Sequence, residues 1–560
     1  MLKRSLFLAG LVLTVTISAT FASEQYNSPE MKQLFSLLPD DAVAVVRLAG
    51  IEQGAKHLND FLLPAAGLPL GGELENIATE ALELKTLDGI DKTKPIWIFA
   101  SLEGDDDVKL ALVAPVTDKS TVIEKSELEE FEPGIYNKKR HPLIFRDNSL
   151  LVYDGEIPVK MKNWFLNADL NKLTNWQTDQ KEDLSLWINN DKLTPFLKEI
   201  SEELIGGLSE TMSMAPFMSA NVVPMLEIEV GWILDLMDQI SITRLDIQLS
   251  AEQAQLRKRV SVKPVTPFAE YINIAKMVDS SKVISLIKPA DFVSAVMNID
   301  PKLYEMTKDR FLSDFEKLDM PTDGFKKIME DIEDIYTGPI GLTMNVAEQS
   351  KNPMALTELI EIKDAKKALE AFDSMAEIIQ SSAGIMQPAT GVKIEVEEEK
   401  NIGTYKDISY SKLGIRYKFD DPESPLAEMM KMNDIDYYYA IYKDLLVFTS
   451  EDMPKVLDRL MQNVDVTDVK KMITPDAFLW ARINVLEGIN FAKAQMSQVL
   501  KGGINPLLMI EVPKDAGNPG LTIDAYVEDG DMVSRLIIPV KEITAVKNAV
   551  LGSMMKQNSH

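Results

Sequence analysis

The feature that most constrains the fold is a pair of sequence blocks that occur twice at the same spacing. Residues 148–160 (NSLLVYDGEIPVK) return as residues 443–455 (KDLLVFTSEDMPK), and residues 184–198 return as residues 479–493. Each block has the pattern of an apolar strand, a turn and the start of a helix. The common offset therefore predicts an internally duplicated chain with two similar halves.

The two halves are predicted to cover residues 30–270 and 271–553. Each opens with a strand and a helical segment, followed by two neighbouring strands such as residues 95–104 and 107–116. Residues 364–380 place apolar side chains at three-and-four spacing, which is typical of a helix that packs on a sheet. Because paired strands interrupt strict strand–helix alternation, we predict an α+β fold with mainly antiparallel sheets covered by helices.

Two segments have no counterpart in the other half. Residues 393–433 predict additional strands and a short helix, whereas residues 206–240 form an apolar, Met-rich insertion with Gly and Pro. Flexible thioether side chains fill cores and also line adaptable binding surfaces. We predict that the insertion includes a mobile apolar flap over a ligand groove or a partner surface. The side chains of this predicted flap are Met212, Met214, Phe217, Met218, Met225, Trp232 and Met237.

The N-terminus has the three parts of a secretory signal peptide, predicted at residues 1–22. Lys3 and Arg4 precede the apolar core LFLAGLVLTV, and Ala22 supplies a small residue before the cleavage point. The alternative is an uncleaved anchor, but the apolar run is shorter than the roughly 20 residues that span a bilayer. We therefore expect an exported protein, periplasmic or extracellular, without a transmembrane anchor. The chain has no Cys, which excludes disulfides and a lipid-modified cysteine.

The charge balance argues against nucleic acid as a partner. The formal net charge is −28 at pH 7, so the surface repels phosphate backbones at close range. Residues 253–263 are an exception, because they contain three consecutive basic residues in a strand pattern. Alternation places Arg257 and Arg259 on one face and Lys258 on the other. We predict salt bridges for this strand rather than an anion site.

The chemistry-bearing residues do not form a recognisable catalytic motif. The chain has three histidines, and His57 and His141 are predicted to be surface residues. No zinc motif, catalytic-serine elbow or phosphate-binding glycine loop occurs. The acidic turns at residues 105–107 and 530–532 lack the spacing of a calcium loop and are predicted to be solvated. We therefore predict no catalytic residue, cofactor or metal ligand.

Three segments carry a resemblance: LLPDDAVAVVRL, LLVFTSEDMPKVLDRL and RLIIPVKEITAV. They resemble a group of exported bacterial proteins labelled as a domain of unknown function, which implies a periplasmic or secreted location and no catalytic residues. We expect a non-enzymatic binding or scaffolding protein of the cell envelope, with an envelope protein or an apolar small molecule as its partner. One alternative is a carrier of a lipid or other apolar ligand in a groove formed by the two halves. Another is a carboxylate-based hydrolase.

Overall fold

The structure is a computed structural model that describes most residues between 33 and 557. The predicted signal peptide and Met214 lie outside the described residues. Within the span, the residues not described are 35, 104–106, 137–140, 177–180, 213–215, 275–281, 289–290, 319–321, 347–353, 375–391, 420–433, 463–465, 500–509, 511 and 513–519.

Up to residue 274 the chain forms single strands, strands paired in hairpins, and helices between them. The strands are β1 (Ala42–Leu48), β2 (Ile96–Glu103), β3 (Asp107–Pro115), β4 (Glu130–Glu132), β5 (Ile135–Tyr136), β6 (Leu143–Arg146), β7 (Ser149–Tyr153), β8 (Leu184–Asn189), β9 (Ile240–Leu249) and β10 (Gln253–Val262). The helices are α1 (Ile51–Ala66), α2 (Gly71–Ala81), α3 (Lys119–Lys125), α4 (Val159–Asn167), α5 (Leu170–Thr174), α6 (Asn190–Met212), α7 (Pro216–Gln239) and α8 (Pro267–Ile274).

The remainder of the chain repeats this mixture of elements. The strands are β11 (Val293–Asn298), β12 (Tyr336–Val346), β13 (Met354–Ile362), β14 (Val392–Tyr405), β15 (Ile408–Phe419), β16 (Ile435–Tyr442), β17 (Leu445–Thr449), β18 (Ala477–Ile483), β19 (Leu521–Glu528) and β20 (Asp531–Pro539). The helices are α9 (Lys302–Lys317), α10 (Asp323–Ile335), α11 (365–374), α12 (Met453–Met461), α13 (Thr467–Met472), α14 (Val485–Val499) and α15 (Val540–Gln557).

The elements form two compact units that interleave along the sequence. Unit 1 draws its described residues from Met1–Ser201, Trp232–Ile272 and Glu528–Thr544. Unit 2 draws its described residues from Glu202–Gly231, Asn273–Val527 and Ala545–His560. Strand β20, near the end of the chain, therefore belongs to the same unit as β1. The division into halves at residues 30–270 and 271–553 stays a prediction, because compactness does not test duplication.

Unit 1 is built on one antiparallel sheet. Its strands pair in the order β20-β10-β9-β8-β1-β2-β3-β7-β6-β5-β4. Successive side chains point to opposite faces, so each face has its own core. Val45, Trp97 and Trp187 lie on the face covered by α4 and α5. Ala44 and Ile188 lie on the other face, which α6 and α7 cover in part.

The strands of unit 2 are also antiparallel and pair in the order β19-β18-β11-β12-β13-β17-β16-β15-β14. Val296, Val447 and Trp480 are fully or almost fully buried on the face that α12 covers. Ile332 and Leu446 belong to a separate cluster with α10 and α11. The predicted α+β class, with antiparallel sheets and covering helices, is confirmed.

The central strands of the two units pair in the same order. It is β8-β1-β2-β3-β7 in unit 1 and β18-β11-β12-β13-β17 in unit 2. A duplicated gene would produce this shared order, because each block that recurs in the sequence maps to matching strands. Duplication stays an interpretation of the sequence, since a shared strand order does not test common ancestry.

The segments without a counterpart are largely regular structure where they are described. Residues 206–240 fall mainly in α6 and α7, and residues 393–419 form most of the long hairpin β14–β15. The short helix predicted within residues 420–433 lies outside the described residues. In the described part of the chain, no helix combines the length and apolarity needed to cross a membrane.

Candidate functional site

An apolar cavity of about 330 Å³ lies in unit 1 between the helix pair α1–α2 and one face of the sheet. Strands β1, β2, β3, β8 and β9 supply the sheet side of the cavity, and α1 and α2 supply the helical side. Among the described residues that line it, Asp183 is the only charged one, and all the others are Leu, Ile, Ala or Gly. The cavity is therefore concave and apolar, as small-molecule sites usually are.

The strand register explains why this face is apolar. Leu48 of β1 lies opposite Leu184 of β8, and Leu184 lies opposite Ile247 of β9. On the other side of β1, Leu48 pairs with Ile96. Directly opposed residues in antiparallel strands point to the same face, so these side chains form a continuous apolar row. The cavity lies over this row.

The helix pair is held at the cavity by specific contacts. The Gly71 N–H donates a hydrogen bond to Asn59 Oδ1 at 2.7 Å, which joins the start of α2 to α1. Lys92 Nζ lies 3.2 Å from both carboxylate oxygens of Glu75, which ties α2 to the turn before β2. A Cβ atom at Gly54 would lie 3.0 Å from Leu74 Cδ2, so the two helices approach closely at that point.

The cavity opens to solvent beside α2. Ile77 lines the cavity and yet is 61% exposed, which places it at the mouth. Leu63 and Leu68, on the same helix pair and its connection, are each 52% exposed. Leu63 and Leu68 are not among the residues that line the cavity, and single exposed apolar residues are ordinary, so these two do not bear on the site.

A histidine–aspartate pair borders the cavity. His57 Nδ1 of α1 lies 2.6 Å from Asp183 Oδ1, and the Leu249 N–H donates to Asp183 Oδ2 at 2.7 Å. Burial raises the pKa of Asp183 above its usual range, and the bonds from Leu249 and His57 oppose this rise. The carboxyl is therefore a polar group held at the edge of an apolar site.

The opposite face of the same strands carries a buried ionic network. Ser185 Oγ donates to Asp246 Oδ1 at 2.6 Å, and Arg244 Nε lies 2.9 Å from the same oxygen. Arg244 also lies over the ring of Trp187, with its guanidinium carbon 5.3 Å from the ring centroid. Because this network lies on the other face, it supports the sheet and does not line the cavity.

The predicted salt bridges of strand β10 are confirmed. Arg257 and Arg259 both pair with Glu528, and Arg259 also lies 3.2 Å from Asp531. Burial nevertheless raises the pKa of Asp531 to about 6. The predicted solvated turn at residues 530–532 is wrong at this residue, because Asp531 is buried and ion-paired.

The two histidines predicted at the surface are only partly exposed, and both have acidic partners. The His57 side chain is 29% exposed and pairs with Asp183. The His141 side chain is 21% exposed and lies within 3.5 Å of both Glu83 and Asp154. The acidic partners are far from the histidines in sequence, so no local pattern signalled these pairs. Across the described residues, no group of three or more His, Asp or Glu has metal-site geometry.

The predicted flap residues lie elsewhere in the fold or outside its described part. Met237 is 4% exposed and packs in the core with Ile188 and Phe196, and Trp232 is half-buried. Met214 is outside the described residues. Met212, Phe217, Met218 and Met225 lie in α6 and α7, but their side chains are not among those described. Trp232 and Met237, whose side chains are described, are not among the residues that line the cavity of α1 and α2.

A larger depression in unit 1 has a different character. Its volume is about 500 Å³, and its lining includes Glu80, Glu83, Lys85 and Glu127. The paired side chains of Lys85 and Glu127 are 57% and 74% exposed. These charges are solvated, so the depression lacks the enclosed apolar surface of the cavity beneath α1 and α2.

No family model and no curated protein matches this chain. Among solved structures, crystal form I of TP0453 matches 43% of this chain and 85% of its own, with 9% identity and a TM-score of 0.21. Crystal form III of TP0453 matches 42% of this chain and 83% of its own, with the same identity and TM-score.

Proposed function

We propose that the protein is an exported carrier that binds a single-chain apolar ligand in the cavity between α1–α2 and the sheet of unit 1. The observation behind the proposal is the lining, in which apolar side chains from two helices and five strands converge and one carboxyl stands at the edge. One function predicted from the sequence was a carrier whose ligand groove is formed by the two halves. The cavity, by contrast, belongs to unit 1 alone.

The size of the cavity suits a short alkyl chain. Its volume of about 330 Å³ is near the lower limit of small-molecule sites. Each methylene group removed from water contributes about 0.8 kcal/mol, so ten methylenes contribute roughly 8 kcal/mol. The cost of association opposes this gain, so the dissociation constant should be micromolar or weaker. Such an affinity suits a carrier that must also release its ligand.

The neutral fluorescent probe N-phenyl-1-naphthylamine tests the proposal. We expect its emission to rise saturably with the whole protein and expect the Ala78→Trp variant to weaken binding about fivefold or more. Ala78 is half-buried and lines the cavity, so an indole there fills the space. Ala66→Trp is the matched control, because Ala66 is exposed on α1 and does not line the cavity. Equal probe binding by the two variants would overturn the proposal.

A further inference from the structure

We infer that the cavity selects an amphiphile whose polar end donates a hydrogen bond and carries no negative charge, such as a long-chain alcohol or amine. This inference rests on the proposed function, because it concerns the polar end of the ligand bound in the same cavity. The residue that carries it is Asp183, the one charged side chain among the described residues of the lining.

Asp183 is fixed in place at the cavity by the backbone and by α1. Its N–H donates to Ile247 O and its carbonyl accepts from the Ala49 N–H, both at 2.8 Å. Its side chain is 9% exposed and receives one bond from the Leu249 N–H and one contact from His57. With its backbone held at two points and its carboxyl at two more, Asp183 cannot swing away to avoid an unfavourable ligand group. Asp183 therefore presents a fixed polar group to whatever enters.

The hydrogen-bonding capacity of this carboxylate is not exhausted. An ionised carboxylate offers about four acceptor sites on its two oxygens, and Leu249 and His57 occupy two of them. The remaining sites can accept from a hydroxyl or an ammonium group. A carboxylate or a fully ionised phosphate on the ligand has no proton to donate and brings a like charge to a partly desolvated site.

Arg47 is a buried cation that acts on Asp183 electrostatically. Arg47 neighbours Leu48, which lines the cavity, but alternation along β1 points Arg47 to the opposite face of the sheet. Its guanidinium Nη1 donates to the Glu182 carbonyl oxygen at 3.3 Å. Arg47 and His57 both oppose the burial-driven rise in the pKa of Asp183, so they favour its ionised form, and an ionised carboxylate favours neutral or cationic ligand ends.

Displacement of N-phenyl-1-naphthylamine by three ten-carbon competitors tests the inference at pH 7.5. We expect 1-decanol and decylamine to displace the probe from the whole protein at about tenfold lower concentration than sodium decanoate. The Asp183→Asn variant should narrow this difference to about threefold or less, because the amide removes the negative charge and supplies a donor. Asp60→Asn is the matched control, since it removes the same charge from an exposed position on α1 and should leave the preference unchanged.

The outcomes separate the inference from the proposed function. If decanoate displaces the probe from the wild-type protein as well as 1-decanol does, the inferred selection by charge is wrong, but the proposed apolar binding site is not affected. If Asp183→Asn keeps the full preference, Asp183 is not the selecting residue and the inference fails. If no probe binds, or if Ala78→Trp has no effect on probe binding, the proposed function fails. If the Asn variant does not fold, equal competition by decanoate and 1-decanol for the wild-type protein still overturns the inference.

Discussion

The most unusual single residue is Lys258, in the middle of strand β10. It is 3% exposed and lies opposite Leu245 of β9 and Ser534 of β20. Its Nζ has no hydrogen-bond partner among the described residues, and burial lowers its pKa to about 7. Burying an unpaired ammonium group is costly, so the folded state favours the neutral amine.

We predict that Lys258→Met stabilises unit 1, and that the gain depends on pH. The unfolded chain holds the lysine proton up to about pH 10.5 and the folded chain only to about pH 7. Because the unfolded state binds more protons between these two pH values, the free energy of unfolding of the wild-type protein rises with pH across this window. The buried lysine lowers the free energy of unfolding by roughly 4 kcal/mol at pH 7 and by roughly 2 kcal/mol at pH 9.

Urea unfolding followed by tryptophan emission measures this gain, because five of the six tryptophans lie in unit 1. The gain from Lys258→Met should shrink from pH 7 to pH 9. Lys162→Met is the control, since Lys162 is exposed on α4 and its replacement should change stability by less than about 0.5 kcal/mol. If Lys258→Met raised the free energy of unfolding by the same amount at both pH values, the lowered pKa of Lys258 would be contradicted.

For single residues, the sequence predicted the face of the strand on which a side chain lies, but it did not predict which residue that side chain contacts. Alternation correctly separated Lys258 from Arg257 and Arg259. The importance of Asp183 was not predictable, because its partner His57 lies 126 positions away in the sequence. A carboxylate in a chain with 87 acidic residues carries no distinguishing local signal.

At the scale of elements, the helix pair α1–α2 determines whether the cavity exists. The first turn of α2 contains two adjacent glycines with different surroundings. A Cβ atom at Gly71 would collide with the Asn59 side chain and would lie 2.7 Å from Ala55 O. A Cβ atom at Gly72 would meet nothing within 4 Å. Gly71 thus permits the close contact between the helices, and Gly72 does not contribute to it.

We predict opposite effects for alanine at these two positions. Gly71→Ala should destabilise unit 1 by about 1–3 kcal/mol, because the helices must move apart. Gly72→Ala should stabilise it by about 0.5–1 kcal/mol, because alanine is the better helix former. Hydrogen exchange of the α2 amides should be faster in the first variant and unchanged or slower in the second. Equal exchange in both variants would show that the helix contact is not set at Gly71.

The elements themselves were largely predictable. The hairpin β2–β3, helix α1 and the strand–turn–helix blocks that recur in the sequence all follow periodicity and turn residues. The cavity was not predictable, because its lining comes from seven elements whose apolar residues look like ordinary core in sequence. Only their packing leaves a space among them.

At the scale of the whole molecule, strands that are far apart in the sequence are neighbours in the sheet. Strand β20, from the last tenth of the chain, pairs with β10 inside unit 1. Gln255 lies directly opposite Ile537, whereas Ile538 lies opposite Ala254. Because the chain contains no cysteine, an engineered pair would be its only thiols.

We predict that Gln255→Cys with Ile537→Cys forms a disulfide on mild oxidation. Directly opposed residues have Cα atoms about 4.5–5.5 Å apart, which suits disulfide geometry. Gln255→Cys with Ile538→Cys is the control, because its side chains point to opposite faces and should remain reduced. Thiol titration under denaturing conditions distinguishes the two variants. Oxidation of the control but not of the opposed pair would refute this register.

The sequence repeats suggested two consecutive halves, whereas compact unit 1 includes residues from both ends of the chain. A repeat identifies similar segments, but it does not determine which strands pair across the molecule. The repeat did not predict the function either, because the residues that match between its two copies are those that build the sheet. The proposed ligand site lies instead beneath the helices that follow β1.

The most direct test of the proposed carrier function is photolabelling of the whole protein with a diazirine analogue of 1-decanol, followed by peptide mapping. We expect labelled peptides within residues 48–82 and 96–112, which contain most of the cavity lining, and we expect excess 1-decanol to remove that label. Label concentrated in other peptides, or label that excess 1-decanol does not displace, would show that the ligand does not bind in this cavity.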